Sequence, residues 1–143
     1  MEIVNRKARY DYSFLKMEVA GIELVGSEIK SIRKSNVSLA DSFCLFMNGE
    51  LFLKNSKIKE NGTAFSHKED RDRKLLMKRS ELNKLEKELT KGLSIIPYKI
   101  FIAKRGFAKV EIALAKGKKD YDKRETIKKR EAEREIQIEK IIS

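Results

Sequence analysis

A single cysteine, Cys44, cannot close a disulfide within the chain, so no disulfide framework is expected and the usage suits a reducing compartment. No apolar run approaches the ~20 residues of a membrane-spanning helix. The opening Met1-Glu2-Ile3-Val4-Asn5-Arg6 has no basic stretch leading into an apolar one, so no secretory signal is expected. These absences predict a cytoplasmic protein with no membrane partner. Catalytic residue types are equally scarce. The one histidine, His67, sits in the polar stretch "AFSHKEDRDRK" and predicts a solvent or RNA contact rather than a catalyst. No Cys and His residues are spaced for zinc, and "AKGKK" lacks the upstream glycine of a phosphate-cradling loop. Asp70 and Asp72 with Glu69 could hold magnesium, but the interleaved Arg71 and Arg73 favour a loop that faces phosphate. With no nucleophile beside a base, the chain predicts a protein that is not an enzyme and needs no metal or cofactor. A metal-dependent nuclease is the weakest of the readings kept open.

What the chain has in excess is positive charge. Lys and Arg number 33 against 22 Asp and Glu, a formal net charge of +11. Basic side chains on phosphates release condensed counterions, so such an excess points to a polyanion. Nucleic acid is the first expectation, an acidic membrane surface the second, and a basic protein with no such partner the third. At 143 residues and 41% hydrophobic, the chain fits one domain with a real core plus an appendage.

Hairpins are the clearest local signals. In "CLFMNGELFL" at 44–53, Asn48-Gly49 between apolar runs predicts a type I′ turn, which needs positive φ at both central residues. Ala108, Val110, Ile112 and Leu114 alternate with Lys109, Glu111 and Ala113, the pattern of a half-buried strand ending at Leu114. Its partner is "LSIIPYKIFI" at 93–102, where Pro97 lacks an N–H and predicts an edge or a bulge. "YSFLKMEVAGIELVG" at 12–26 predicts a strand, a break at Ala20-Gly21 and a shorter strand. "SELNKLEKELTKG" predicts a helix with Ser80 as N-cap, Leu82, Leu85 and Leu89 on one face and Gly92 as the stop. "GSEIKSIRKS" predicts a shorter helix with Ile29 and Ile32 packed, and 56–73 a long mobile loop. About six short strands and two or three helices, without strand–helix alternation, predict a mainly β fold. The economical form is a small antiparallel barrel of the oligonucleotide-binding (OB) kind.

Three basic clusters stand out. Arg6, Lys7 and Arg9 lead into Tyr10 and Tyr12; Lys30, Arg33 and Lys34 share the short helix; Arg71, Arg73, Lys74, Lys78 and Arg79 crowd one connection. Rings beside guanidinium groups suit unpaired bases, and structured RNA is gripped through shape, phosphates and 2′-hydroxyls. After Leu114 the composition changes. Residues 116–143 hold ten basic and seven acidic side chains, a net +3 that leaves +8 for 1–115. Opposite charges three or four apart support a helix by only ~0.2–0.5 kcal/mol per pair. The expectation is an RNA-binding body at 1–115 and a basic tail at 116–143 that is disordered when free.

Several stretches, in order, resemble one family. They are "NRKARYDY" at 5–12, "AGIELVGSEIKSIR" at 20–33, "DSF" with "NGELFL" at 41–53, "RKLL" at 73–76 and "VEIALAKGKKDYDKR" at 110–124. Together they look like the bacterial small protein B, or SsrA-binding protein, family, with the similarity running from about residue 5 to 133. The resemblance implies an OB-fold-like barrel that binds the tRNA-like domain of transfer-messenger RNA and delivers it to stalled ribosomes in trans-translation. It implies a monomer whose tail enters the small-subunit decoding centre and the empty mRNA channel, meets rRNA, becomes helical and licenses tagging and rescue.

By that resemblance Asn5, Leu76 and Lys109 match RNA-contacting positions, with Arg6, Lys7, Arg9, Lys30, Arg33, Arg71, Arg73 and Lys74 supporting them. Gly117, Lys118, Lys119, Tyr121, Asp122, Lys123 and Arg124 match the tail elements tied to decoding, with Gly117 as a hinge. Two positions depart. Some members carry a glutamate directly before Ala-Gly where Val19 stands, so Glu18 substitutes by a local shift or the contact is absent. Glu69 stands where the family often has proline. Composition alone equally supports a general OB-type RNA-binding or ribosome-associated protein.

Overall fold

The computed structural model describes residues 2–60, 67–90 and 92–118. In chain order the elements are β1 (Glu2–Val4), α1 (Arg6–Asp11), β2 (Tyr12–Ile22), α2 (Gly26–Arg33), β3 (Val37–Ser38) and β4 (Phe43–Met47). There follow β5 (Glu50–Lys54), β6 (Lys57–Ile58), β7 (Arg73–Leu76), α3 (Arg79–Glu88), β8 (Leu93–Ile102) and β9 (Ala108–Gly117). The expectations for Lys119, Tyr121, Asp122, Lys123, Arg124 and the tail's conformation lie outside the described residues.

The long strands close on themselves. Their order is β8-β4-β5-β7-β2-β9, and β9 pairs again with β8, which makes a six-stranded antiparallel ring. β1 adds to the edge of β8 at Lys99–Phe101, and β3 with β6 forms a separate ribbon. This is the mainly β, OB-like barrel that the sequence predicts, with three helices where its patterns locate two. Asn48 and Gly49 take φ of 52° and 78°, and Met47 faces Glu50 across the expected two-residue turn. β9 lies along both β2 and β8, from Gly21↔Lys109 to Tyr12↔Gly117 on one side. The register between β8 and β9 slips between Pro97 and Lys99, the bulge expected where proline cannot donate.

Alternation fills the barrel. Leu51, Leu53, Leu75, Ile95, Ile100, Val110 and Ile112 are at most 1% exposed, and each such side chain stabilises by ~1.5–3 kcal/mol. α3 adds Leu82 and Leu85 with Leu89 packed alongside, and α2 adds Ile32. A second small cluster of Ala8, Ile96 and Ala115, flanked by Tyr12 and Phe14, seats α1 on the barrel wall.

Five expectations are corrected. β2 runs unbroken through Ala20-Gly21, because Gly21 is paired to Leu76 on one side and Lys109 on the other. Its lack of a side chain serves a close approach: a Cβ there would lie 3.3 Å from that of Leu76. α3 begins at Arg79 with Lys78 as N-cap and no capping side chain, so Ser80 lies inside the helix. α1 falls where only a basic cluster was expected, since six residues burying Ala8 alone show no periodicity. Part of the expected open loop is ordered, because Lys57–Ile58 pairs with Val37–Ser38 and His67 is buried. Finally, β9 continues past Leu114 to Gly117, which pairs with Tyr12. Gly117 therefore lies within the sheet ladder, and any hinge falls beyond it.

Candidate nucleic-acid interface

Charge that the sequence assigned to the surface is partly spent inside. Glu28 and Arg73 are both fully buried and bonded to each other at 2.5 Å. Arg73 also donates to the Ser56 carbonyl and hydroxyl at 3.2 and 3.0 Å and to the Glu69 carbonyl at 3.1 Å. Its donors are used up, so Arg73 is corrected from an RNA contact to the tie that joins α2, Ser56, the Lys68 and Glu69 carbonyls and β7. Arg71, a third exposed, bonds the other Glu28 oxygen at 2.5 Å, and the Val25 amide caps the carboxylate at 2.9 Å. Burial would raise the Glu28 pKa, but the hydrogen bonds from Arg71, the Val25 amide and Arg73 outweigh it and leave it lowered. Burial lowers the Arg73 pKa, against the pull of Glu28.

His67 is neither a solvent contact nor an RNA contact. It is 7% exposed, with Nε2 2.7 Å from the Ile58 carbonyl and Nδ1 2.8 Å from Ser27 Oγ. A carbonyl only accepts, so Nε2 donates to Ile58, and the Ser27 hydroxyl, which can donate or accept, pairs with Nδ1. Burial pushes the Cys44 thiol up, away from reactivity. Among the described residues no three His, Cys, Asp or Glu side chains lie together as metal ligands would.

Two expected contacts meet on the outer wall of the barrel. The pairings Gly21↔Leu76 and Gly21↔Lys109 set Leu76 of β7 and Lys109 of β9 on either side of one glycine. Leu76 is 48% exposed while its neighbour Leu75 is fully buried, so Leu76 is an outward apolar side chain rather than a core leucine. Lys109, which makes no ion pair among the described residues, faces Phe101 of β8 on its other side. The next row holds Val19, which is 49% exposed, then Glu111 and Lys99. Glu18 does not take the place of Val19: its carboxylate lies 3.4 Å from Lys16, which also binds Glu88 of α3. With no side chain at Gly21, Leu76 lies close against the strand, and the row presents its apolar side chain on one side and the Lys109 ammonium on the other.

Beside this wall the β8–β9 turn carries Lys104, Arg105 and Phe107, the last 67% exposed. Arg33 of α2 reaches it: a Cβ on Gly106 would lie 3.7 Å from the Arg33 guanidinium. Lys30 and Arg33 are both exposed. The sequence pattern reads this turn only as a connection, although a ring beside two adjacent cations is the signal that marks it. Lys74 of the third cluster is paired instead with Glu50 at 3.7 Å, and Arg79 with the same carboxylate at 2.5 Å.

The first cluster sits at the far end of β9, about 26 Å away along eight residues. Asn5 is buried and donates its amide to the carbonyls of Leu39 and Pro97, both at 3.1 Å. It is corrected from a direct contact to the residue that anchors the start of α1. Arg6 and Lys7 are exposed, with Lys7 3.4 Å from Asp41. The Arg9 guanidinium stacks 5.0 Å from the Phe14 ring and 4.7 Å from the Tyr98 ring, which meet edge to face. Lys118 closes the end of α1, its amide donating to the Asp11 carbonyl at 2.8 Å and its Nζ to the Arg9 carbonyl at 2.9 Å. The structure thus brings Leu76 and Lys109 together, sets Arg33 beside the neighbouring turn with Lys30 exposed on the same helix, and holds Arg6, Lys7, Arg9 and Lys118 as a separate group.

Comparison with known proteins shows the family of the chain. The profile of the SmpB protein family matches residues 2–141. The SsrA-binding protein of Christiangramia forsetii is 53% identical over 139 residues, covering 95% of this chain and 88% of the relative. That of Thermosipho africanus is 50% identical over 135 residues, covering 92% and 91%. A solved chain described as "tmRNA-SmpB: a journey to the center of the bacterial ribosome" superimposes with a TM-score of 0.70 at 43% identity, over 83% of this chain and 85% of that one. This chain belongs to the SmpB protein family.

Proposed function

We propose that this protein binds transfer-messenger RNA and acts with it on stalled bacterial ribosomes in trans-translation. Membership of the SmpB family, with relatives known as SsrA-binding proteins, supports the reading, as does the match to a chain solved with tmRNA and the ribosome. The observation that carries it is the Leu76–Gly21–Lys109 row on the outer wall, an exposed apolar side chain and a half-buried cation without an ion pair among the described residues on either side of a glycine. The wall grips the tRNA-like domain, with Arg33 and Lys30 alongside. The residues from Gly117 onward, with Lys118, Lys119, Tyr121, Asp122, Lys123 and Arg124, act in the decoding centre and mRNA channel. The protein works in the cytoplasm by binding and positioning. It makes and breaks no bond itself, and the ribosome supplies the chemistry. No helix among the described residues is long and apolar enough to cross a membrane.

Sequencing the RNA that copurifies from bacterial cells tests this. One dominant transfer-messenger RNA is the expected result; an unselective mixture favours a general RNA-binding protein instead. Lys109→Ala is expected to weaken binding and to flatten the log–log salt dependence by about 0.9, the share of one phosphate contact. A titration at several salt concentrations checks it, and an unchanged slope removes Lys109 from the interface.

A further inference from the structure

One group on the outer wall has the wrong sign for a phosphate. Glu111 stands two residues from Lys109 on the same face of β9, about 7 Å along the strand. It faces Val19 on β2 and Lys99 on β8. Lys99 lies beside it as a loose ion pair, with Nζ 3.9 Å from Glu111, 3.3 Å from Glu2 and 5.8 Å from the centre of the Phe101 ring. The Glu111 side chain is 24% exposed, so its carboxylate is reachable and has hydrogen-bonding capacity that its loose ion pair with Lys99 leaves unused. Its neighbour Val19 offers no competing donor.

An ionised carboxylate only accepts hydrogen bonds. A phosphate oxygen has nothing to donate to it and repels it, so on an RNA-binding wall this group suits only donors. Among the standard bases, guanine alone presents two adjacent donors, N1–H and N2–H, on its Watson–Crick edge, and a carboxylate has two oxygens to match them. Unpaired bases in RNA are read on that edge, and stack on apolar or aromatic surfaces. We infer that Glu111 is a specificity-determining contact that reads an unpaired guanine of the bound RNA. Lys109 takes a neighbouring phosphate, and Val19 and Leu76 meet the apolar surface of the nucleotide.

This inference rests on the RNA-binding reading above, and its test separates the two. Inosine, which lacks the 2-amino group, is incorporated at random into full-length transfer-messenger RNA. Positions that interfere with binding are then compared between the full wild-type chain and Glu111→Gln. The wild type is expected to show inosine interference at a guanosine of the tRNA-like domain, and Glu111→Gln is expected to lose it. Glu111→Gln should also bind roughly five- to a hundredfold more weakly, the discrimination of a bidentate base contact. Its salt slope should not change, because no phosphate contact is lost.

If Glu111 were only a brace for Lys99, removing its negative charge would leave binding unchanged or tighter. Identical interference patterns, or tighter binding by Glu111→Gln, would overturn the inference. Should Glu111→Gln fail to fold, Glu111→Asp, which keeps the charge but withdraws it by one methylene, is read in the same way. A wild-type chain that does not bind this RNA would instead overturn the proposed function.

Discussion

Ending the chain after Lys118 is expected to leave the affinity for transfer-messenger RNA essentially unchanged and to abolish peptide tagging. Residues 119–143 carry eight basic and seven acidic side chains, so their removal changes the net charge by only one. The electrostatic pull on RNA therefore stays with the body. The position of the cut matters. Ending after Ala115, where the body was expected to stop, removes Lys116 and Gly117 from their pairs with Ser13 and Tyr12. It also removes the two bonds by which Lys118 closes α1. That shorter chain is expected to lose thermal stability and to loosen Arg9, whereas the chain ending at Lys118 keeps both. Affinity titrations and an in vitro tagging assay on stalled ribosomes decide the matter. Loss of RNA binding as complete as the loss of tagging, in the chain ending at Lys118, would show that the tail and body are not separable.

The largest stability effect is expected at Arg73. Its guanidinium is fully buried and bonded to Glu28, and removing one partner of such a pair costs about 3–5 kcal/mol. Arg73→Met should therefore lower the melting temperature on the order of 10–25 °C. At a temperature where the variant remains folded, its RNA affinity and salt slope should match the wild type. A folded Arg73→Met with a flattened salt slope would return Arg73 to the interface. Glu28 adds a pH dependence. Its pKa is lowered in the folded protein, so its contribution is present above the unfolded carboxylate value of about 4.3 and is lost as pH falls through the folded value. Wild-type melting temperature should decline in that acid range, and Glu28→Gln should flatten the decline while starting lower. Thermal melts followed by circular dichroism across pH 2–7 check this, on the order-of-magnitude reasoning of linkage.

Much of the barrel is legible in the sequence because the signals are local. Asn48-Gly49 dictates its turn through φ alone, and the alternation from Ala108 to Leu114 orients Lys109 outward without reference to any other strand. Leu76 needs more, since only pairing against Gly21 shows which of two adjacent leucines faces out. The failures are non-local. Arg73 looks like any exposed cation until the fold brings Glu28, 45 residues earlier, against it. His67 finds Ser27, forty residues away, for the same reason. Gly21 misleads because glycine serves two purposes: a turn is local, whereas close packing beside Leu76 exists only in the folded sheet. Likewise Asn5 reads as a contact but is consumed by carbonyls at residues 39 and 97.

The central claim is that the wall around Gly21, and not the opposite side of the barrel, meets the RNA. β2 and β4 lie three strands apart in the six-stranded ring, and Val19 of β2 and Leu45 of β4 are comparably exposed apolar side chains, at 49% and 44%. A photo-crosslinking amino acid placed singly at each position, in the full chain in bacterial cells, tests the claim most directly. Position 19 is expected to crosslink to the tRNA-like domain of transfer-messenger RNA, and position 45 is not. Equal yields from both positions, or a crosslink from position 45 alone, would contradict it.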